Sequence, residues 1–392
     1  MRIALVSGMF PPIQSGSSHY AWRVANGLED RGHEVLVISF RHANPGESAH
    51  FGCAKLPGFM LPKTPLTQRY GLPYSLYPAS IPLIRQILAR FQPTVVHANG
   101  HFLDASIAAA QCSKALHLPL VVTIHTRFVH TDPLLNAVMR NLDRAFLGHV
   151  WRKSDAIIAL DRQMYRYIEN TYHVPLDRIA VIPLAIDLPE LLSSPEWDAS
   201  KYGYTPMRRI VVSLSHLTRL KSARTVLSAF AVVAKEFPDI QLVFVGRVMD
   251  PTPIQMTSQL GLKGRVRFIG EIPHRLVPSL LRQSVLEVHS LDSRTGFDSA
   301  SVEAMALGVP VVSCVREDNF VRPWLQNRKN VLLVPPRDVN KTAEAIRDIL
   351  TDAALAKRIS EGARKTASDS FSIDRMLRDL EGLYESVAST RS

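Results

Sequence analysis

Cysteine is scarce in this chain of 392 residues: Cys53, Cys112 and Cys314 are an odd number, far apart, with no C-x-x-C. Such spacing encodes neither a disulfide framework nor a structural zinc site. Small buried thiols in a reducing compartment are the expectation. Long apolar runs are missing too. No stretch reaches the roughly eighteen apolar residues that would span a bilayer, and the run at Met1–Gly8 is too short for a signal peptide. The expectation is a cytoplasmic protein, peripheral at most to the inner face of a membrane. No G-x-G-x-x-G follows the first strand pattern and no D-x-D occurs anywhere. Acidic residues are absent between Glu47 and Asp104, where Lys55, Lys63, Arg69, Arg85 and Arg90 stand.

What is present is an ordinary globular composition, 46% apolar and 21% charged, in a chain long enough for two cores. The net charge of +11 points to anionic partners. Nucleic acid is not among them: there is no docking motif, and the excess is spread over both halves.

A strand pattern at residues 2–7 is followed by a Pro-Pro loop, a Ser/Gly stretch at 15–18, a helical pattern, and a strand at Val35–Phe40. That order predicts a parallel α/β sheet. Strands are expected again at Val95–His97, Val121–His125 and Ala156–Leu160, with a helix through Ala105–Ala115. Residues 57–82 hold six prolines, too many for a long helix or a central strand, and read as a long loop. After Ile186-Asp187 the chain is irregular to about Pro206, and then the α/β rhythm restarts at Ile210–Ser215. The fold class is α/β, with two doubly wound domains: residues 1–188, a hinge at 189–207, residues 208–372, and a closing helical segment at 373–392.

Ligands of such sheets bind beyond the carboxyl ends of the strands. Ser15-Gly16-Ser17-Ser18 leads into a helix whose free N–H groups favour an anion or serve simply as a cap. Ser213 to Lys221 places His216, Arg219 and Lys221 after a strand, which suits a diphosphate. Gly296-Phe297-Asp298-Ser299 opens the helix carrying Glu303, and a carboxylate there can accept two vicinal hydroxyls, as of a ribose. No local spacing suggests convergent zinc ligands.

The series Phe10-Pro11-Pro12, Arg31-Gly32-His33-Glu34-Val35, Val95-Val96-His97-Ala98, Val122-Thr123-Ile124-His125, Ile182-Pro183, Val302-Glu303-Ala304-Met305-Ala306 and Gly308-Val309-Pro310-Val311-Val312 resembles glycosyltransferase family 4. The resemblance runs from residue 2 to about 385. It implies the GT-B fold, two Rossmann-like domains facing across a cleft, and retaining transfer of a sugar from a nucleotide-sugar. The first domain would bind the acceptor and the second the donor, with the final helix crossing back to the first. Position by position, it implies that Gly16 offers its backbone to the donor phosphate and that His125 lies beside the donor sugar. Lys221 would contact the diphosphate, Gly296, Phe297 and Asp298 the sugar hydroxyls, and Glu303 the ribose, with helix N–H groups from Ser299 assisting. No metal or resident cofactor is expected, the nucleotide-sugar being a co-substrate.

Four positions depart from the family pattern. Thr295 replaces the first glutamate of E-x7-E, Asp298 a glycine, His216 an arginine, and Ser15 the first of two glycines. Arg219, Arg247 or Arg294 could return some of the lost charge. These departures keep two alternatives open: a non-catalytic GT-B subunit that binds or stabilises an active glycosyltransferase, and a sugar-nucleotide epimerase. A lipid-linked, glycan or small-molecule acceptor would each fit. Two segments suit an anionic membrane surface, the basic and aromatic stretch 51–90, equally readable as plain packing, and the amphipathic Leu134–Trp151, for which a core helix with solvated arginines is the favoured reading. His97 and His101 follow a strand and are candidates to line an acceptor site.

Overall fold

The computed structural model describes residues 1–13, 15–41, 51–61, 72–75, 78–101, 104–127, 132–196, 208–218, 223–289, 296–320 and 322–390, with backbone alone at 60, 61, 72, 73 and 75. The chain divides into two compact units, Met1–Leu184 with Ile373–Ser392, and Ala185–Ser372.

The first unit contains β1 (Arg2–Val6), β2 (Glu34–Phe40), β3 (Gly52–Leu56), β4 (Gly58–Leu61), β5 (Leu72–Ser75), β6 (Val95–Asn99), β7 (Leu120–Ile124), β8 (Ala156–Ala159) and β9 (Ile179–Val181). Among the described residues seven of these form one parallel sheet, in the order β3-β2-β1-β6-β7-β8-β9. Its helices are α1 (Gly16–Asp30), α2 (Ser80–Phe91), α3 (Asp104–Ala115), α4 (Pro133–Leu142), α5 (Gly148–Trp151) and α6 (Arg162–Tyr172). The central strands are buried on both faces, which is why they read as near-continuous apolar runs. Ile38, Phe40, Ile84, Leu88, Val122 and Trp151 share one core.

Residues 57–82 are not a plain loop. β4 and β5 pair antiparallel there, and α2 begins at Ser80. The prolines fit because Pro82 lies in the first helical turn, where its missing N–H has no intrahelical partner. Pro73 lies in a two-stranded pair, where one side of each strand has no ladder to complete.

The second unit contains α7 (Leu188–Leu192), β10 (Arg209–Leu214), α8 (Ala223–Val233), β11 (Ile240–Val245), α9 (Thr252–Gln259), β12 (Val266–Phe268), α10 (Val277–Arg282), β13 (Ser284–Val288), α11 (Ser299–Ala306), β14 (Val311–Ser313), β15 (Leu332–Leu333), α12 (Val339–Thr351) and α13 (Ala353–Ser370). Its strands form a parallel sheet, six-stranded among the described residues, in the order β12-β11-β10-β13-β14-β15.

The last helix, α14 (Ile373–Ser389), belongs to the first unit. Leu377 packs at Gly27, where a Cβ would meet its side chain at 2.5 Å. Glu381 accepts hydrogen bonds from Arg31 at 3.2 Å and His33 at 2.9 Å. No described helix is long and apolar enough to cross a membrane.

Candidate functional site

In a doubly wound sheet the chain runs outward in one direction from its first strand, then returns to build the other half, leaving a crevice at the carboxyl ends where the order reverses. The first unit reverses between β1 and β6, the second between β10 and β13.

At the first reversal, Asn99 ends β6 and spans the gap. Its Nδ2 donates to Ser7 Oγ at 3.0 Å and to the Ser17 carbonyl at 3.1 Å, and its Oδ1 accepts from His125 Nε2 at 2.6 Å. Asn99 therefore ties the ends of β1 and β7 to the first turn of α1. Ser15 caps that helix, its Oγ accepting from Ser18 N at 3.2 Å. Gly16 is the first helical residue, and among the described residues a Cβ placed on it would have nothing within 4 Å, so that side of it is open. Burial pushes the His125 pKa down to about 4, which keeps the ring neutral at physiological pH. With Nε2 donating to Asn99, Nδ1 carries the lone pair.

His97 and His101 do not line a surface; both are fully buried. His97 Nδ1 lies 2.6 Å from the Tyr384 hydroxyl of α14, and Nε2 lies 2.7 Å from Thr123 Oγ1. Burial, with a smaller contribution from His125, lowers the pKa of each to about 3. His97 is a neutral peg that fastens the closing helix to β6 and β7.

At the second reversal two histidines follow the strand ends, His216 after β10 and His289 after β13. His216 Nδ1 accepts the Arg247 backbone N–H at 3.0 Å, so that nitrogen is unprotonated and the ring neutral in this arrangement. Gly246 makes that approach possible: its φ is +136°, and a Cβ there would lie 2.5 Å from the Ser215 carbonyl oxygen. The Arg247 guanidinium is engaged by Glu271, with contacts of 3.0 and 3.1 Å, so its charge is already partly answered.

His289 is the most unusual group of this unit. Its Nε2 is 2.7 Å from Asp298 Oδ2 and its Nδ1 3.1 Å from Glu287 Oε1, while Ser301 Oγ donates to the other Glu287 oxygen at 3.2 Å. Glu287 and His289 are almost wholly inaccessible. Burial alone would push the imidazole's pKa down, but the carboxylates of Asp298 and Glu287 outweigh it and hold it up at about 9. A cation is thus locked between two carboxylates. Asp298 precedes α11 without capping it, its carboxylate turned to His289 and about a third exposed.

Phe297 anchors the same loop, its buried ring packed against Phe320 and Phe371 at centroid distances of 6.3 and 6.2 Å. Gly296 precedes it, and Ser299 is the first residue of α11. Glu303 follows one turn later, almost wholly buried, with Oε1 2.9 Å from His274 Nε2. A carboxylate offers about four acceptor positions, and His274 takes one of them. Lys221, Thr295, Arg219 and Arg294 lie outside the described residues.

Asn99, Glu287, His289 and His274 were not among the sequence candidates. A polar residue ending or interrupting an apolar strand, as in Val95–Asn99 and Ser284–His289, is the signal that marks the first three. His274 has no local signal; only the fold brings it to Glu303.

Two doubly wound units in succession, each with polar groups gathered at its reversal point, are the architecture of the GT-B class. Residues 14–190 match Glycosyltransferase Family 4 and residues 198–366 match Glycosyl transferases group 1. The chain belongs to the family 4 type of GT-B glycosyltransferases. It is 26% identical to alpha-D-kanosaminyltransferase of Streptomyces kanamyceticus over 320 residues, 78% of this chain and 79% of that one. It is 24% identical to N-acetyl-alpha-D-glucosaminyl L-malate synthase of Bacillus anthracis over 401 residues, 99% and 98% of the two chains. Among solved structures, Anabaena HepE in complex with UDP-glucose shares the fold with a TM-score of 0.73 at 20% identity, covering 98% of this chain and 100% of that one.

Proposed function

We propose that the protein transfers a sugar from a nucleoside-diphosphate sugar to an acceptor with retention of anomeric configuration. The observation that carries this reading is Glu303, a carboxylate buried one turn into α11 and oriented by His274. A diol such as the ribose edge of a nucleotide satisfies such a group, and the open backbone at Gly16 suits a phosphate. The kanosaminyltransferase named above carries sugar transfer in its name, and the HepE structure holds UDP-glucose. Lys221 and the N–H groups at the start of α11 would stabilise the departing diphosphate, His125 and the Gly296–Asp298 loop would face the sugar, and His216 and Thr295 would flank the phosphates and the sugar. A retaining transfer without a protein nucleophile lets the leaving phosphate take the acceptor's proton, so positioning and charge stabilisation are the protein's contribution. No metal is required by this scheme.

Thermal unfolding with UDP, GDP, ADP and their sugars is the direct test. A ligand at about a hundred times its Kd adds about 2.7 kcal/mol, a rise of several degrees. At least one nucleotide is expected to raise the midpoint, and Glu303→Ala to reduce that rise. No stabilisation of the wild type by any nucleotide overturns the reading. Because His216 and Arg247 are engaged as described, a subunit that binds donor without turnover is the second reading. Binding without transfer or hydrolysis at saturating donor distinguishes it, and donor conversion without an acceptor identifies an epimerase.

A further inference from the structure

Five of the large apolar side chains exposed on this protein fall on one short stretch of the first unit: Leu134, Leu135, Val138, Leu142 and Phe146. Leu134, Leu142 and Phe146 are 74%, 62% and 55% exposed, and α4 buries none of its residues. Leu134, Val138, Leu142 and Phe146 recur every four residues, a spacing that keeps them on one side of a helix. A π-helical turn at Asp143–Leu147 continues α4 into α5 and, being wider than an α turn, holds Phe146 in line with the ridge. The opposite side is the attached one, where Asp143, Leu147, Gly148 and Trp151 are buried and Asp143 Oδ1 accepts from the Tyr172 hydroxyl at 2.6 Å.

The charges around the ridge have one sign. Arg140, Arg144, Arg152 and Lys153 are exposed, and among the described residues none is paired with a carboxylate; Arg144 meets His173 and Lys153 meets His149. Of the two acids on this stretch, Asp143 is buried and Asp132 caps α4 through Leu135 N at 2.9 Å. We propose that this ridge is a docking surface for an anionic lipid bilayer, with the five apolar side chains entering the interface and the four cations meeting the headgroups. A second copy of the chain is the less suitable occupant, because a two-fold contact would set the same cations against one another in a chain of net charge +11.

Flotation of the full-length chain with vesicles tests this without donor or acceptor, so its failure leaves the glycosyltransferase reading untouched. The wild type is expected to float with mixed phosphatidylglycerol and phosphatidylcholine vesicles, and not with phosphatidylcholine alone. Leu142→Ser with Phe146→Ser should weaken that binding roughly tenfold or more while leaving the unfolding midpoint unchanged, since both side chains are exposed. Arg140→Gln with Arg144→Gln should weaken it and flatten its salt dependence. Absence of wild-type binding to anionic vesicles overturns the proposal, as does equal binding by the ridge variant. So does a concentration-dependent dimer that the ridge variant converts to monomer, which would make the ridge a subunit interface.

Discussion

Lys221→Ala is expected to lower kcat for sugar transfer by about 10²–10³-fold, the usual consequence of removing one electrostatic contact to a developing negative charge, about 2.7–4 kcal/mol. Lys221 follows β10, the strand at the reversal point of the second unit. The state of two other basic groups of this unit raises its importance. His216, where the family pattern has an arginine, accepts a backbone N–H and is neutral in that arrangement, and Arg247 is held by Glu271. Lys221 is therefore the proposed contact to the departing diphosphate, with Arg219 and Arg294 as the other candidate cations. Steady-state kinetics with varied donor measure the effect. Because the charge develops as the bond breaks, kcat should fall by more than KM rises. Unchanged kcat and donor affinity would remove Lys221 from the mechanism.

His289→Ala is expected to destabilise the second unit by about 3–5 kcal/mol, because it leaves Glu287 buried with no cation. For a unit of this size that lowers the unfolding midpoint by roughly 10 °C. Replacing Glu287 and His289 together with leucine should recover most of the loss, since a well-packed apolar pair commonly matches a buried ion pair. The effect also has a pH signature. With a folded pKa of about 9 against 6.5 unfolded, the stabilisation by His289 is fully present below pH 6.5 and is lost as pH rises through about 9. The first unit has the opposite sign. His97, His101 and His125 are held neutral by burial, so their contribution is present above pH 6.5 and is lost as pH falls toward 4 and 3. Unfolding followed between pH 4 and 10 should show a maximum near pH 6.5, with the alkaline decline missing in His289→Ala. An alkaline limb identical in wild type and variant would contradict the assignment of a cation to His289.

The buried parallel strands were legible because a strand covered on both faces leaves an unbroken apolar run, as in Ile3–Val6, Leu120–Ile124 and Ile210–Leu214. β3 was not, because an edge strand is covered on one side only and Gly52-Cys53-Ala54-Lys55-Leu56 has little periodicity. Six prolines concealed β4, β5 and the start of α2, since proline is excluded from helix interiors and central strands but not from first turns or edges. In the site, Glu303 was legible from its motif, whereas its partner His274 comes from 29 residues away.

By itself the sequence determined the alternation of strands and helices, the break between two α/β stretches, and which helices are amphipathic, because these depend on spacing along the chain. It also determined the family, through residues grouped around Glu303. Only the tertiary structure decided which polar groups carry charge. His97 is neutral because the fold encloses it between Thr123 and Tyr384, and His289 is cationic because the fold places it between Glu287 and Asp298. The same holds for α4: periodicity shows that a helix has an apolar side, but whether that side is covered depends on what packs against it, and here its apolar side chains are exposed.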